Sequence, residues 1–155
     1  MKDDPEFALL AFLSADPAVA ELVHTPPAAP RFYPDAAPQG TPRDLPCIVY
    51  EVLTRREEGV LAQGPHGLPD MVLLLECRAG TRVRANLLRS RVLESRGGNP
   101  DNRKLNGFAG SLGSGYVAQK IMAENQYYDH EPPLQAAGVG VYVAAVELRI
   151  WWNNP

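Results

Sequence analysis

The residue groupings in this chain that could do chemistry are few, and each fails on spacing or setting. Gly113-Ser114-Gly115-Tyr116-Val117-Ala118 fits the G-x-G-x-x-[GA] turn on which a dinucleotide pyrophosphate rests. That turn must follow a strand and open a helix, whereas here a strand-forming segment follows it. Ala109-Gly110-Ser111-Leu112-Gly113 resembles a hydrolase nucleophile elbow with Ala in the first position, but the one later histidine, His130, adjoins Asp129, and 155 residues are too few for that fold. His24, His66 and His130 fall in segments predicted as loops, without the i, i+4 pairing or neighbouring cysteine of a metal site. The paired carboxylates, Glu57-Glu58 and Asp129 with Glu131, stand beside basic or proline residues, where solvated turn charge explains them. Cys47 and Cys77 have no CxxC spacing and read as buried free thiols. The sequence therefore predicts no catalytic residue, no metal, no cofactor and no enzyme.

The elements that would position such residues are also modest in extent. A chain of 155 residues with 45% hydrophobic residues is sized for one domain over 1–155. The longest apolar runs, Met71 to Leu75 and Val139 to Val146, are strand-sized rather than bilayer-sized. The N-terminus is acidic where a secretory signal would be basic. Gly 13 and Pro 15 imply many loops. A net charge of -3 is too near neutral for nucleic-acid affinity spread over the whole surface.

Charge is nonetheless unevenly placed. Between Arg78 and Lys104 stand Arg78, Arg82, Arg84, Arg89, Arg91, Arg96, Arg103 and Lys104 against Glu94 and Asp101. The first thirty residues carry Lys2 against Asp3, Asp4, Glu6, Asp16 and Glu21. Three readings fit this asymmetry: a solvated helix face, charge pairing between subunits, or contact with passing DNA through Arg84, Arg89 and Arg91 as channel-facing residues.

Asp4-Pro5 and Asp16-Pro17 each pair an N-cap with a proline at the first helical position. They predict a helix to about Ser14 and a short second one carrying Val19, Leu22 and Val23. Seven prolines between Thr25 and Pro46 make that stretch a loop or an edge segment. Strands are predicted at Cys47–Leu53 and Asp70–Arg78. Pairing them about Ala62 sets Cys47 opposite Cys77 and puts Val49 and Leu53 on one face with Leu75 and Met71. Thr81 to Arg96 reads as the longest helix, with Ala85, Leu88 and Val92 as its apolar stripe; Val83 and Leu87 lie off that stripe. Gly97-Gly98 stops it, and a glycine-rich loop to residue 115 follows, with Leu105, Phe108 and Leu112 as anchors.

The last strands are Tyr116 to Tyr128 and Gly138 to Trp152. Tyr142, Ala144, Val146, Leu148, Ile150 and Trp152 of the final strand alternate onto a core face. The other face begins apolar with Val141, Val143 and Ala145 and ends with Glu147, Arg149 and Trp151. The expected fold is α+β: an antiparallel sheet of about four strands with helices packed on one face.

These pieces, in order, resemble a known family. Asp16-Pro17-Ala18-Val19-Ala20-Glu21-Leu22-Val23, then Arg31-Phe32-Tyr33-Pro34 with Ala37-Pro38-Gln39-Gly40, then Leu45-Pro46-Cys47-Ile48-Val49-Tyr50 look like the N-terminal half of the tail completion, or tail terminator, proteins of long-tailed bacteriophages. Leu75-Glu76-Cys77-Arg78-Ala79, Tyr127-Tyr128-Asp129-His130-Glu131-Pro132 and the closing Arg149-Ile150-Trp151-Trp152 agree with the later half. The resemblance spans about residues 7 to 152. The chain departs from it at 97–115, which is longer than the expected link.

The resemblance implies a structural virion protein, assembled in the host cytoplasm, that forms a homo-oligomeric ring, typically a hexamer, on the head-proximal end of the tail tube. Such a ring ends tube growth and joins the tail to the head, so its partners are the tail tube protein and a head-tail connector or neck protein. A head-side neck protein, a head completion or stopper component, is the alternative; no membrane partner is expected. A closed ring requires one surface of each subunit to fit a different surface of the next. Val141, Val143, Arg149 and Trp151 on the final strand are the candidates for one side, and the acidic or the basic helix for the other. The segments 55–69 and 97–115 are expected to project toward tube or neck, with Arg55, Arg56, Gly64, Phe108 and Leu112 as contacts.

Overall fold

Asp4 and Asp16 each start a helix whose first residue is a proline: α1 (Pro5–Ser14) and α2 (Pro17–Val23). Asp16 caps α2 through its side chain, which accepts the Ala18 N–H at 2.9 Å. The computed structural model describes residues 4–26, 28–36, 45–56, 69–113, 115–132 and 140–153. After α2 the chain is pinned by Arg31. Its guanidinium donates to the carbonyls of Pro46 (2.8 Å) and Leu22 (2.8 Å) and to the Thr25 hydroxyl (3.0 Å), tying the proline-rich crossing to the end of α2. The crossing contributes the edge strand β1 (Phe32–Pro34), followed by β2 (Cys47–Arg56) and β3 (Asp70–Ala79).

Thr81 begins α3 (Arg82–Leu93) by accepting the Arg84 N–H, and β4 (Gly110–Gly113), β5 (Tyr116–Glu131) and β6 (Val141–Asn153) complete the chain. The strand order is β1-β2-β3-β6-β5-β4. β1 runs parallel to β2, and every other pair is antiparallel.

This corrects the expected four-stranded antiparallel sheet with helices on one face. Among the described residues the sheet has six strands and is mixed, strand takes 46% of them, and the helices are three and short. Register shifts at Val52/Thr54, Ser111/Gly113, Ala118/Lys120 and Ala123/Asn125 add local twist, and the sheet curls into a half-barrel. The two additional strands escaped the sequence pattern for different reasons. β1 is three residues long and ends in proline, and β4 carries glycine at both ends.

One large core lies between the helices and the concave face. It joins Leu9, Phe12 and Leu13 of α1 and Ala85, Leu88 and Val92 of α3 to Leu73, Leu75, Val146, Leu148, Ile150 and Trp152 of the sheet. The β2–β3 register is one residue off the expected one: Ile48, not Cys47, stands opposite Cys77, and Tyr50 faces Leu75. A one-residue slip exchanges faces. Ile48 and Val52 therefore pack with the core, while Leu53, at the bulge, is 41% exposed. Alternation could not settle the register because both faces of β2 begin apolar.

Within the 97–115 segment, residues 105–113 do not project. Leu105 (0% exposed), Phe108 (1%) and Leu112 (5%) sit in the core. Gly107 N–H donates to the Ile121 carbonyl at 2.7 Å, and Ile121 N–H to that of Phe108 at 3.0 Å, so the segment lies along β5 and continues into β4.

Candidate interaction surfaces

The side chains tested for catalysis stay apart. Ser111 is in β4, where its hydroxyl accepts the Gly113 N–H at 3.1 Å. The Gly113–Ala118 pattern falls on the turn between two antiparallel strands, the wrong setting for a pyrophosphate. His130 stacks on Tyr142 with ring centroids 4.3 Å apart, and Asp129 caps the His130 N–H rather than facing its ring. His24 ends α2. Among the described residues no group of three or more His, Cys, Asp or Glu converges as a metal site would, and no helix is long and apolar enough to cross a membrane. Cys47 and Cys77 are buried, and burial pushes the Cys77 thiol far up. His66, Glu57, Glu58, Gly64 and Ser114 lie outside the described residues. A cleft of about 290 Å³ opens between the start of α3 and the β5–β6 hairpin, lined by Arg82, Tyr128, His130 and Tyr142 among others.

The basic segment does not form one positive surface. Arg89 is 6% exposed, and its guanidinium donates to the carbonyls of Ala145 (3.2 Å) and Tyr127 (3.3 Å), to Asn86 Oδ1 (3.2 Å) and to the Tyr128 hydroxyl (2.6 Å). Arg82 and Arg89 both stack on the Tyr128 ring, at 4.6 and 4.4 Å. Arg91 turns to α2, donating to the Ala18 carbonyl at 3.0 Å and pairing with Glu21 at 3.4 Å. Of the three residues expected to face a channel, Arg89 is structural, Arg91 is committed within the chain, and Arg84 is exposed. Charge spacing along a helix cannot tell a guanidinium that caps sheet carbonyls from one in water.

Arg55 pairs with Asp4 at 3.2 Å and Glu6 at 3.8 Å, so part of the acidic N-terminus is also neutralised within the chain. Arg56 makes a two-pronged contact with Asp70, at 2.6 and 3.0 Å, and Arg149 binds the same carboxylate at 2.7 Å. These hydrogen bonds, Arg56 first, hold the Asp70 carboxyl below its usual range. Of the expected tube or neck contacts, Phe108 and Leu112 are core residues and Arg55 and Arg56 are ion-paired.

The convex face of the sheet is read directly from the ladder. Across β2, β3, β6 and β5 its rows run Cys47–Arg78–Val143–Asp129, Val49–Glu76–Ala145–Tyr127 and Glu51–Leu74–Glu147–Asn125, then Thr54–Val72–Arg149–Met122 and Arg56–Asp70–Trp151–Lys120. Leu74, Val143 and Ala145 form a second apolar cluster here, with Val141 packed against it. No helix residue joins that cluster. Above this floor stand Tyr127 (42% exposed) and Met122 (37%). Tyr127 is ringed by carboxylates: burial, then Glu76, Glu147, Glu51 and Asp129, raise its phenol above the ordinary value. Val141, Val143, Arg149 and Trp151 thus share the side of the sheet away from the helices, with Val143 in its floor and Arg149 bridging Asp70 and Glu124.

No family model matches the chain, and no curated protein matches it. Among solved structures, a chain from the virion of a native gene transfer agent particle shares the fold, with a TM-score of 0.53 and 14% identity over 96% of this chain and 94% of that chain. At that identity the likeness is one of fold.

Proposed function

We propose that this protein is a structural virion subunit that caps the head-proximal end of a phage-type tail tube as a homo-oligomeric ring, ends tube growth and forms the joint to the neck. The observation that carries the reading is the fold shared along almost the whole of both chains with a component of a gene transfer agent virion. The ordered resemblance of residues 7 to 152 to tail completion proteins narrows it to the tail end. The reading asks for no catalysis, metal or cofactor. It asks for surfaces, and the convex sheet face supplies an apolar floor with exposed aromatic and charged rims.

The test is location. Tails purified from a mutant that makes no heads are imaged with an antibody or a genetic tag against this chain. Label at the free, head-proximal end of such tails is the expected result. Label on heads and none on tails would replace the terminator reading by that of a head-side neck protein. Label on neither would end the structural-virion reading.

A further inference from the structure

Two surfaces of this chain complement each other but lie on opposite sides of it. The first is the outward side of α3. The helix packs Ala85, Leu88 and Val92 into the core, which leaves Val83 78% exposed and Leu87 39% exposed, one turn apart on the same side. Arg82 and Arg84 flank Val83, and no acidic residue occurs between Arg82 and Leu93. A valine so exposed on a basic helix face has nothing to cover it within the subunit.

The second is the upper half of the convex sheet face. Glu51, Glu76, Asp129, Glu131 and Glu147 stand there against the single guanidinium of Arg78, around exposed Tyr127 and over the floor of Leu74, Val143 and Ala145. Arg78 is already held by Glu76 at 2.7 Å and Glu131 at 2.9 Å. Glu51 is exposed, and among the described residues Glu147 accepts a neutral amide, that of Asn125 at 2.6 Å. Burial first, and then Glu76, Glu147, Glu51 and Asp129, raise the Tyr127 phenol.

We infer, resting on the ring reading above, that the outward face of α3 in one copy seats on the acidic half of the convex sheet face of the next, with Val83 and Leu87 against the exposed Tyr127 ring and Arg84 among the carboxylates. Charge selects this pairing from the alternatives. Two acidic halves set against each other would oppose carboxylate to carboxylate, which repels, and in the other half of the convex face Arg56 and Arg149 are already held by Asp70 and Glu124. The acidic N-terminal helices would meet the same repulsion, and their Asp4, Glu6 and Glu21 are already paired with Arg55 and Arg91. α3 packs on the concave side and the acidic patch is convex, so the contact is head to tail and leaves one free surface of each kind until the chain of subunits closes.

The test uses two paired variants of the full chain. Val83→Glu with Arg84→Glu spoils the helix face, and Glu51→Arg with Glu147→Arg spoils the sheet face; circular dichroism and Tm check that each still folds. With tail-tube subunits present, wild type is expected to form rings by light scattering and each variant to stay monomeric. An equimolar mixture should then assemble beyond the monomer, because the intact helix face meets the intact sheet face and the two altered faces are themselves opposite in charge. The milder Val83→Ser with Arg84→Gln, which leaves helix propensity and folding intact, should raise the assembly concentration at least ~10-fold. Rings formed by either charge variant at wild-type concentration, or no effect of the mild variant, would overturn this contact while leaving the ring reading standing. Wild type that never assembles would overturn both.

Discussion

Gly97 and Phe12 offer a direct measure of how tightly the chain beyond α3 is held. Gly97 has φ +65°, and a Cβ there would lie 2.4, 2.5 and 2.8 Å from three carbons of the Phe12 ring. That ring is 6% exposed and meets the ring of Phe108 edge-on at 5.0 Å, so it cannot swing aside without pushing on a second buried ring. A left-handed alanine costs about 1–2 kcal/mol. Moving the ring back by roughly 1 Å, to ordinary contact distance, adds overpacking of about 1–3 kcal/mol. Gly97→Ala should therefore cost about 3 kcal/mol, or about 10 °C in Tm for a domain of this size.

A double-mutant cycle separates the two causes. Phe12→Val removes the clashing ring carbons, so in that background Gly97→Ala should cost only the backbone strain, about 1–2 kcal/mol. Urea unfolding of the four proteins, followed by circular dichroism, reads the difference. Equal costs in the two backgrounds would refute the packing argument and leave strain alone.

Three further outcomes follow from contacts already described. Asp70 has a folded-state pKa below its unfolded one, so its stabilisation is fully present above the unfolded value, about 4, and is lost as pH falls through the folded value; Asp70→Asn should flatten the acid limb of a Tm-against-pH curve below about pH 4, and an unchanged limb would contradict the role given to its hydrogen bonds. Burial raises the Cys77 thiol, so a thiol reagent at pH 8 should label neither cysteine in the native protein and both in denaturant; rapid native labelling would show that the site opens. Deleting residues 99–112 should unfold the subunit, because it removes Leu105, Phe108 and Leu112 from the core; a deletion protein with native circular dichroism and cooperative melting would contradict their placement.

The local punctuation of the sequence is a good guide where one residue type does one job. Asp-Pro pairs start α1 and α2, and the period-two pattern of Tyr142 to Trp152 marks the core side of β6. The pattern is silent where pairing partners decide. Phe32–Pro34 becomes a strand because β2 lies beside it, and Gly110–Gly113 because β5 does. The chain from Gly97 to Gly115 looks like a free loop by composition, yet three apolar side chains and backbone bonds to Ile121 bind it down. Glycine content reports what conformations a segment is able to take, not whether contacts restrict it.

Charge followed the same logic on the candidate surfaces. Eight basic residues between 78 and 104 and an acidic N-terminus look like two complementary poles in the sequence. Folding spends part of each: Arg91 on Glu21, Arg55 on Asp4, Arg78 on Glu76 and Glu131, and Arg89 on sheet carbonyls and a tyrosine ring. An exposed pair of this kind contributes little stability, so the internal pairs matter less for what they add than for what they remove from the surface. Folding leaves Arg84 beside Val83 on the outer side of α3, and Glu51, Asp129 and Glu147 around Tyr127, outside these ion pairs. These residues belong to segments far apart in sequence and become opposed faces only when α3 packs across β3 and β6, so the polarity of the subunit is a property of the fold rather than of either charged segment.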